Sequence, residues 1–192
     1  MLIEKDQLLP FEEAKLYGHN AIHALMAYLG AFKGYTMMSQ LRDDPKIMQI
    51  AEEAFIHESG AALIKKYSGF DELFTETSFR QYARDLLERM TNPYLEDTIQ
   101  RTGRDPARKL GLNDRLFGAM VLCMEQGIEP KKIALGAAAG IRYLTKQKQT
   151  KFKEIESILL NLWSVPNTTT IERLILLVKQ ADVKLSCWCS NE

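Results

Sequence analysis

Five of the six prolines, Pro10, Pro45, Pro93, Pro106 and Pro130, stand where a helical pattern begins, and this punctuation most constrains what the chain can fold into. Proline suits the first turn of a helix, where its missing N–H would have no partner, and breaks a helix interior. Leu9-Pro10 followed by Phe11-Glu12-Glu13 puts proline and acids in one first turn and predicts a helix to about Phe32, with Gly34 as its stop. Asp44-Pro45 repeats the device. It predicts a second helix through Ile47, Ile50, Ala51, Ala54 and Phe55 towards Ile64, broken at Ser68-Gly69. A third covers about Asp71 to Met90, Asn92-Pro93 starts a short helix to about Gln100 that Gly103 can end, and Asp105-Pro106 starts another short turn. Asn113 is expected to cap a helix from Asp114 to Gln126 closed by Gly127, and a helix from Lys131 to Tyr143 follows Pro130. The small-residue run Gly136-Ala-Ala-Ala-Gly140 in that last helix points to a close helix contact. After a polar loop, Thr145 to Thr150, come helices at about 151–163 and 170–182, the second with the capping box Thr169-x-x-Glu172.

No window alternates apolar and polar residues over the length a strand needs, so the expected fold is all-α. With no repeat and no low-complexity linker, the chain reads as one helical domain over 1–192, a core of about 10–145 with a smaller helical appendage over about 146–192. A glycine-rich strand–turn–helix of the Gly-x-Gly-x-x-Gly kind is missing, so this chain is not expected to bind a dinucleotide by itself. Twenty-five basic and 25 acidic residues cancel, which gives no global field for nucleic acid or an anionic membrane. No apolar run is long enough to span a bilayer and the N-terminus lacks the pattern of a signal peptide, so the expected location is the cytoplasm. Three cysteines make no disulfide framework; Cys123 reads as a core residue and Cys187-Trp188-Cys189 as an incidental tail.

The densest chemistry lies in Lys15-Leu16-Tyr17-Gly18-His19-Asn20-Ala21-Ile22-His23. On an ideal helix Lys15, His19, His23 and Asn20 fall near about 0°, 40°, 80° and 140°, and Leu16, Ile22, Leu25, Met26 and Leu29 cover much of the rest. That helix reads as buried, with a polar strip turned to something inside the protein; satisfied core hydrogen bonds or a ligand would both explain it. His19 and His23 have the i, i+4 spacing of a zinc-protease His-Glu-x-x-His helix, but Asn20 stands where the general base would be and no third ligand is placed, so no metal is expected. Downstream, Arg101, Arg104, Arg108, Lys109 and Arg115 face only Asp105 and Asp114 among short helices. Such a run is either a solvated face or an anion pocket, since guanidinium forks bind carboxylate and phosphate bidentately.

Together these stretches resemble a family. Lys15-x4-Asn20-x2-His23 followed by Tyr28-Leu29-Gly30 is similar to the active-site helix of the polyol-specific long-chain dehydrogenases. Glu58-Ser59-Gly60, Asn92-Pro93-Tyr94-Leu95, Asp97, Arg101, Gly103-Arg104, Pro106, Arg108-Lys109-Leu110 and Asp114-Arg115-Leu116 resemble its mannitol-1-phosphate branch. The resemblance covers roughly residues 11 to 142. It implies a helical substrate-binding half of the kind that ends 6-phosphogluconate and mannitol dehydrogenases, partnered by an N-terminal Rossmann domain that carries NAD. It implies Lys15 as the general base that removes the hydroxyl proton as hydride leaves for NAD+, and Asn20 and His23 as the groups that steady the oxygen. It also implies Arg101 and Lys109 on the far end of the polyol, Arg104 or Arg108 on a phosphate, and a sugar alcohol or its phosphate as partner. His19 is an addition to the motif. These residues alone are expected to show no turnover, because hydride transfer needs cofactor and substrate in contact. The alternative is a non-catalytic helical ligand-binding or oligomerisation module derived from the family.

Overall fold

The computed structural model describes residues 7–147, 154–166 and 168–188, and among them every regular element is helical. A single antiparallel bridge, Met37 with Thr98, is all the β pairing they contain. The first helix runs from α1 (Leu9–Glu13) through a π-helical stretch, Ala14–Asn20, into α2 (Ala21–Phe32), and ends at Gly34 with φ 83°. The second repeats that construction: α3 (Pro45–Glu53), a π-helical stretch Ala54–Gly60 and α4 (Ala61–Lys66). Asp44 caps α3 by accepting the N–H groups of Lys46 and Ile47 at 3.1 and 3.0 Å, beside Pro45 in the first turn. Then come α5 (Glu76–Met90), the short α6 (Ile99–Thr102) and α7 (Pro106–Lys109), α8 (Arg115–Glu125) and α9 (Lys131–Gln147). The chain returns along the body as α10 (Ile155–Trp163) and α11 (Thr169–Ser186).

The centre is α2, whose residues from Ala24 to Gly30 are all buried, packed against α9. Contact is close because Gly136 and Gly140 face Leu25 and Tyr28; a Cβ on either glycine would come within 2.7 Å of Leu25 Cγ or 2.9 Å of Tyr28 Cδ2. The expected small-residue contact is therefore the α2–α9 crossing. On the other side of α9 lies α11, tied by Arg142 Nε donating to Asp182 at 2.5 Å. Trp163 of α10 donates Nε1–H to the Leu110 carbonyl at 2.8 Å and stands edge-on to Phe117, centroids 4.7 Å apart. No described helix is long and apolar enough to cross a membrane. Cys123 is buried as expected, whereas Cys189 lies outside the described residues.

Several local expectations shift. Residues 71–90 do not make one helix: a 3-10 turn Glu72–Phe74 precedes Thr75, whose hydroxyl caps α5. Asn92-Pro93 opens only a 3-10 turn, Pro93–Leu95, because Glu96 adopts the left-handed conformation (φ 50°) and separates it from α6. Asp114, not Asn113, caps α8, and Thr168, not Thr169, caps α11 by accepting the Ile171 N–H. Thr145 to Gln147 continue α9 rather than starting a loop, and 148–150 lie outside the described residues.

Candidate functional site

The chemistry-bearing segments meet where α2 passes beneath α6, α7 and the start of α8. The N–H groups of Met38 and Ile99 donate to Asp97 and Thr36 carbonyls at 2.9 and 2.8 Å, clamping the segment before α6 to the turn after α2. Gly30 leaves room for Ile99, since a Cβ there would stand 2.8 Å from Ile99 Cδ1. Asp105, left-handed at φ 57°, then turns the chain into α7. The result is a cleft of about 230 Å³. Asn20, His23 and Ala24 form one wall; Asp97, Arg101, Thr102, Arg104, Arg108, Lys109 and Arg115 form the rest.

Its charges are only partly balanced. Arg101 pairs with Asp97 at 2.9 Å, Arg108 with Asp105 at 2.7 Å, and Asp114 is shared between Arg108 at 3.3 Å and Arg115 at 2.7 Å. The Arg104 side chain has no such partner among the described residues. Lys109 is 5% exposed, and its amine donates to the Thr102 carbonyl. Burial first, then the charges of Arg115, Arg108 and Arg104, hold its pKa down at about 8. On the opposite wall the His23 Nε2 is buried without a hydrogen-bond partner among the described residues. Burial and the neighbouring His19, whose ring centroid is 5.9 Å away, push His23 down to about 4, so its imidazole is neutral near pH 7. A neutral imidazole nitrogen and an amide opposite several cations suit a ligand with hydroxyls at one end and negative charge at the other.

Of the residues the sequence singled out, Asn20, His23, Arg101, Arg104, Arg108 and Lys109 line this cleft. Lys15 does not. It is exposed, makes no hydrogen bond or ion pair with the described residues, and its charge acts on His19, whose pKa is lowered chiefly by burial and then by Arg89 and Lys15. The π-helical stretch alters its relation to Asn20: an i→i+5 turn brings residues five apart towards one side, where α geometry would separate them by about 140°. Arg115 belongs to the basic run that reads from sequence as a solvated face or an anion pocket, and Asp97 to the family resemblance, but neither they nor the Thr102 carbonyl have an individual role there; which charge faces inward is decided by the turns at Glu96 and Asp105. His57 is exposed outside the cleft, and Glu58 serves elsewhere, accepting the N–H groups of Lys132 and Ile133 at 2.6 and 2.9 Å at the start of α9.

No three His, Cys, Asp or Glu side chains gather as a metal cluster among the described residues. With one isolated bridge and no strand, those residues also offer no strand–turn–helix for a nucleotide.

The family model described as the mannitol dehydrogenase C-terminal domain matches residues 7–183. Mannitol-1-phosphate 5-dehydrogenase of Caldanaerobacter subterraneus subsp. tengcongensis is 39% identical over 153 residues, which are 80% of this chain and 38% of that protein. A crystal structure of D-sorbitol dehydrogenase in substrate-free form superposes with a TM-score of 0.68 at 17% identity, covering 94% of this chain and 41% of the other, a likeness of fold. The chain thus spans about two fifths of the length of each.

Proposed function

Because this chain belongs to the family of mannitol dehydrogenase C-terminal domains, we propose that it is the substrate-holding, base-supplying half of an NAD-dependent dehydrogenase that interconverts a sugar alcohol phosphate of the mannitol 1-phosphate kind with its ketose. One observation carries the reading: the cleft sets the hydrogen-bonding pair Asn20 and His23 against a wall of five cations with a single carboxylate, Asp97, among its lining. A polyol phosphate has hydroxyls for the first wall and a dianion for the second.

In this reading the reacting hydroxyl lies at the mouth, between Asn20, His23 and the exposed Lys15 amine, which takes its proton. Asn20 donates an amide N–H to the oxygen as charge develops there, and His23 meets the same oxygen through the buried Nε2 that otherwise lacks a partner. Arg101 and Lys109 hold hydroxyls farther along, and Arg104 and Arg108 hold the phosphate. Arg104, paired with no carboxylate among the described residues, has its guanidinium fork available. NAD would supply the hydride acceptor from a Rossmann domain outside the described residues, among which there is no strand. A cofactor-bearing surface laid over the mouth would cover Lys15 and exclude water from the exchange.

Isothermal titration of mannitol 1-phosphate into this chain, with mannitol as the control, tests the reading. The phosphate ester should bind at least tenfold tighter than mannitol. Arg104→Ala, at an exposed position, should remove about tenfold to a hundredfold of that affinity, the worth of one or two charge-assisted hydrogen bonds. Equal or absent binding of the two ligands would reject the substrate assignment and favour the non-catalytic module.

A further inference from the structure

We infer that this cleft takes up a proton when it captures a doubly charged phosphate ester, and that the proton goes to the Lys109 amine. The inference rests on the proposed function and adds a thermodynamic coupling to it. It stands first on geometry. Lys109 is the one cation of the cleft that is both buried and able to lose its charge: guanidinium groups stay protonated in proteins, whereas a lysine amine withdrawn from water does so only with compensation. The only acceptor it reaches among the described residues is the Thr102 carbonyl, which an amine satisfies as well as an ammonium.

Each element around it leaves Lys109 short of negative charge. From α7 and the turn before it, Arg108 and Arg104 oppose its protonation; Asp105 favours it but is spent on Arg108 at 2.7 Å. From the start of α8, Arg115 opposes it and Asp114 is divided between two guanidiniums. Beside α6, Asp97 is engaged by Arg101. From α2, His23 is uncharged near neutrality, and burial pushes the Tyr28 phenol up, so that it too carries no charge; Tyr143 of α9 packs against that ring with centroids 5.4 Å apart. Burial first, and then these unopposed cations, hold the pKa of Lys109 down at about 8.

A phosphate ester reverses the balance. Its second ionisation lies near about pH 6, so at pH 8 it arrives as the dianion and brings no proton of its own. The arginines are already charged and His23 stays neutral, which leaves Lys109 to take a proton from the buffer and become an ammonium in the field of the dianion that Arg104 and Arg108 hold. About half a proton per site should be absorbed at pH 8, and affinity should fall about tenfold between pH 7 and pH 9 as the free amine becomes the prevalent form.

The experiment is isothermal titration of mannitol 1-phosphate into the whole chain at pH 8, in Tris and in HEPES, whose different ionisation enthalpies reveal protons exchanged. The expected result is an uptake of about half a proton per site, vanishing in Lys109→Arg, which keeps the charge and cannot titrate. The wild-type affinity series from pH 7 to pH 9 gives a second measure should the arginine variant fold poorly. Binding with no proton uptake, uptake that persists in a folded Lys109→Arg variant, or affinity flat from pH 7 to pH 9 would overturn the coupling while leaving the proposed function intact. Failure of the ester to bind at all would overturn both.

Discussion

Gly136→Ala should destabilise the chain although it places a better helix former inside α9. In an unpacked helix the change would gain about 0.5–1 kcal/mol, because glycine loses more backbone freedom on folding. Here the new methyl would stand 2.7 Å from Leu25 Cγ, 2.8 Å from its Cβ and 3.0 Å from its Cα. Unstrained carbon pairs sit at about 3.5–4.0 Å, so α2 and α9 must separate by roughly 0.5–1 Å. No rotamer change of Leu25 relieves this, since its Cα and Cβ do not move with χ1. Overpacking of this kind costs about 1–3 kcal/mol, leaving a net loss of about 1–2 kcal/mol. For a chain of this size that is a fall of about 2–8 °C in Tm, read by thermal unfolding followed by circular dichroism. The strain also reaches the site, because Leu25 lies two residues beyond His23 on α2; binding of mannitol 1-phosphate should weaken in the same variant. A Tm equal to or above that of the unsubstituted chain would refute the claim that these glycines set the distance between the two central helices.

Two further outcomes are expected. Burial pushes the Glu58 carboxyl up from 4.5 to about 7 despite its two backbone donors, so the folded chain holds that proton more tightly than the unfolded one; the stabilisation is complete below about pH 4.5 and is lost as pH rises through about 7. Urea midpoints measured from pH 5 to pH 8 should therefore decline more steeply in the unsubstituted chain than in Glu58→Gln, and parallel declines would refute this role. The unpartnered His23 Nε2 burdens the ligand-free fold by about 1–3 kcal/mol, so His23→Leu should leave Tm unchanged or raise it while weakening mannitol 1-phosphate binding at least tenfold. A drop of several degrees in Tm would show that the nitrogen has a structural partner instead.

The helices were legible where one residue does a local job. Asp44-Pro45 announces the start of α3, and Gly34, Gly69 and Gly127, all at positive φ, mark the turns where the sequence puts stops. Caps slipped by one residue at Asp114 and Thr168 because neighbouring Asn, Asp and Thr offer equivalent acceptors, and tertiary fit chooses between them. The polar walls of the site were legible as residue types and not as positions. A basic run looks solvated in one dimension; Lys109 turns inward only because left-handed Asp105 redirects the chain just before α7. Glu58 capping α9 across 74 residues leaves no local signal, and neither does the widening of a helix to i→i+5 at Ala14–Asn20, where Gly18 is a poor helix former but does not specify an extra residue in the turn.

Those two widened stretches, Ala14–Asn20 and Ala54–Gly60, also limit how the gene can change length. A π-helical turn is a helix holding one residue more than α geometry accommodates. Deleting one residue from Ala14–Asn20 would return it to α winding and leave α1 and α2 nearly in phase, because the widened turn already absorbs the extra residue; a further inserted residue would not be absorbed and would swing α2 by roughly 100°, carrying its buried face away from α9. The two stretches touch, with Gly18 set against the Phe55 ring, so a change of count in one disturbs the fit of the other. Insertions and deletions ordinarily spread through loops; in this chain two helices should also keep their register on losing a single codon within the widened turns, but not on gaining one.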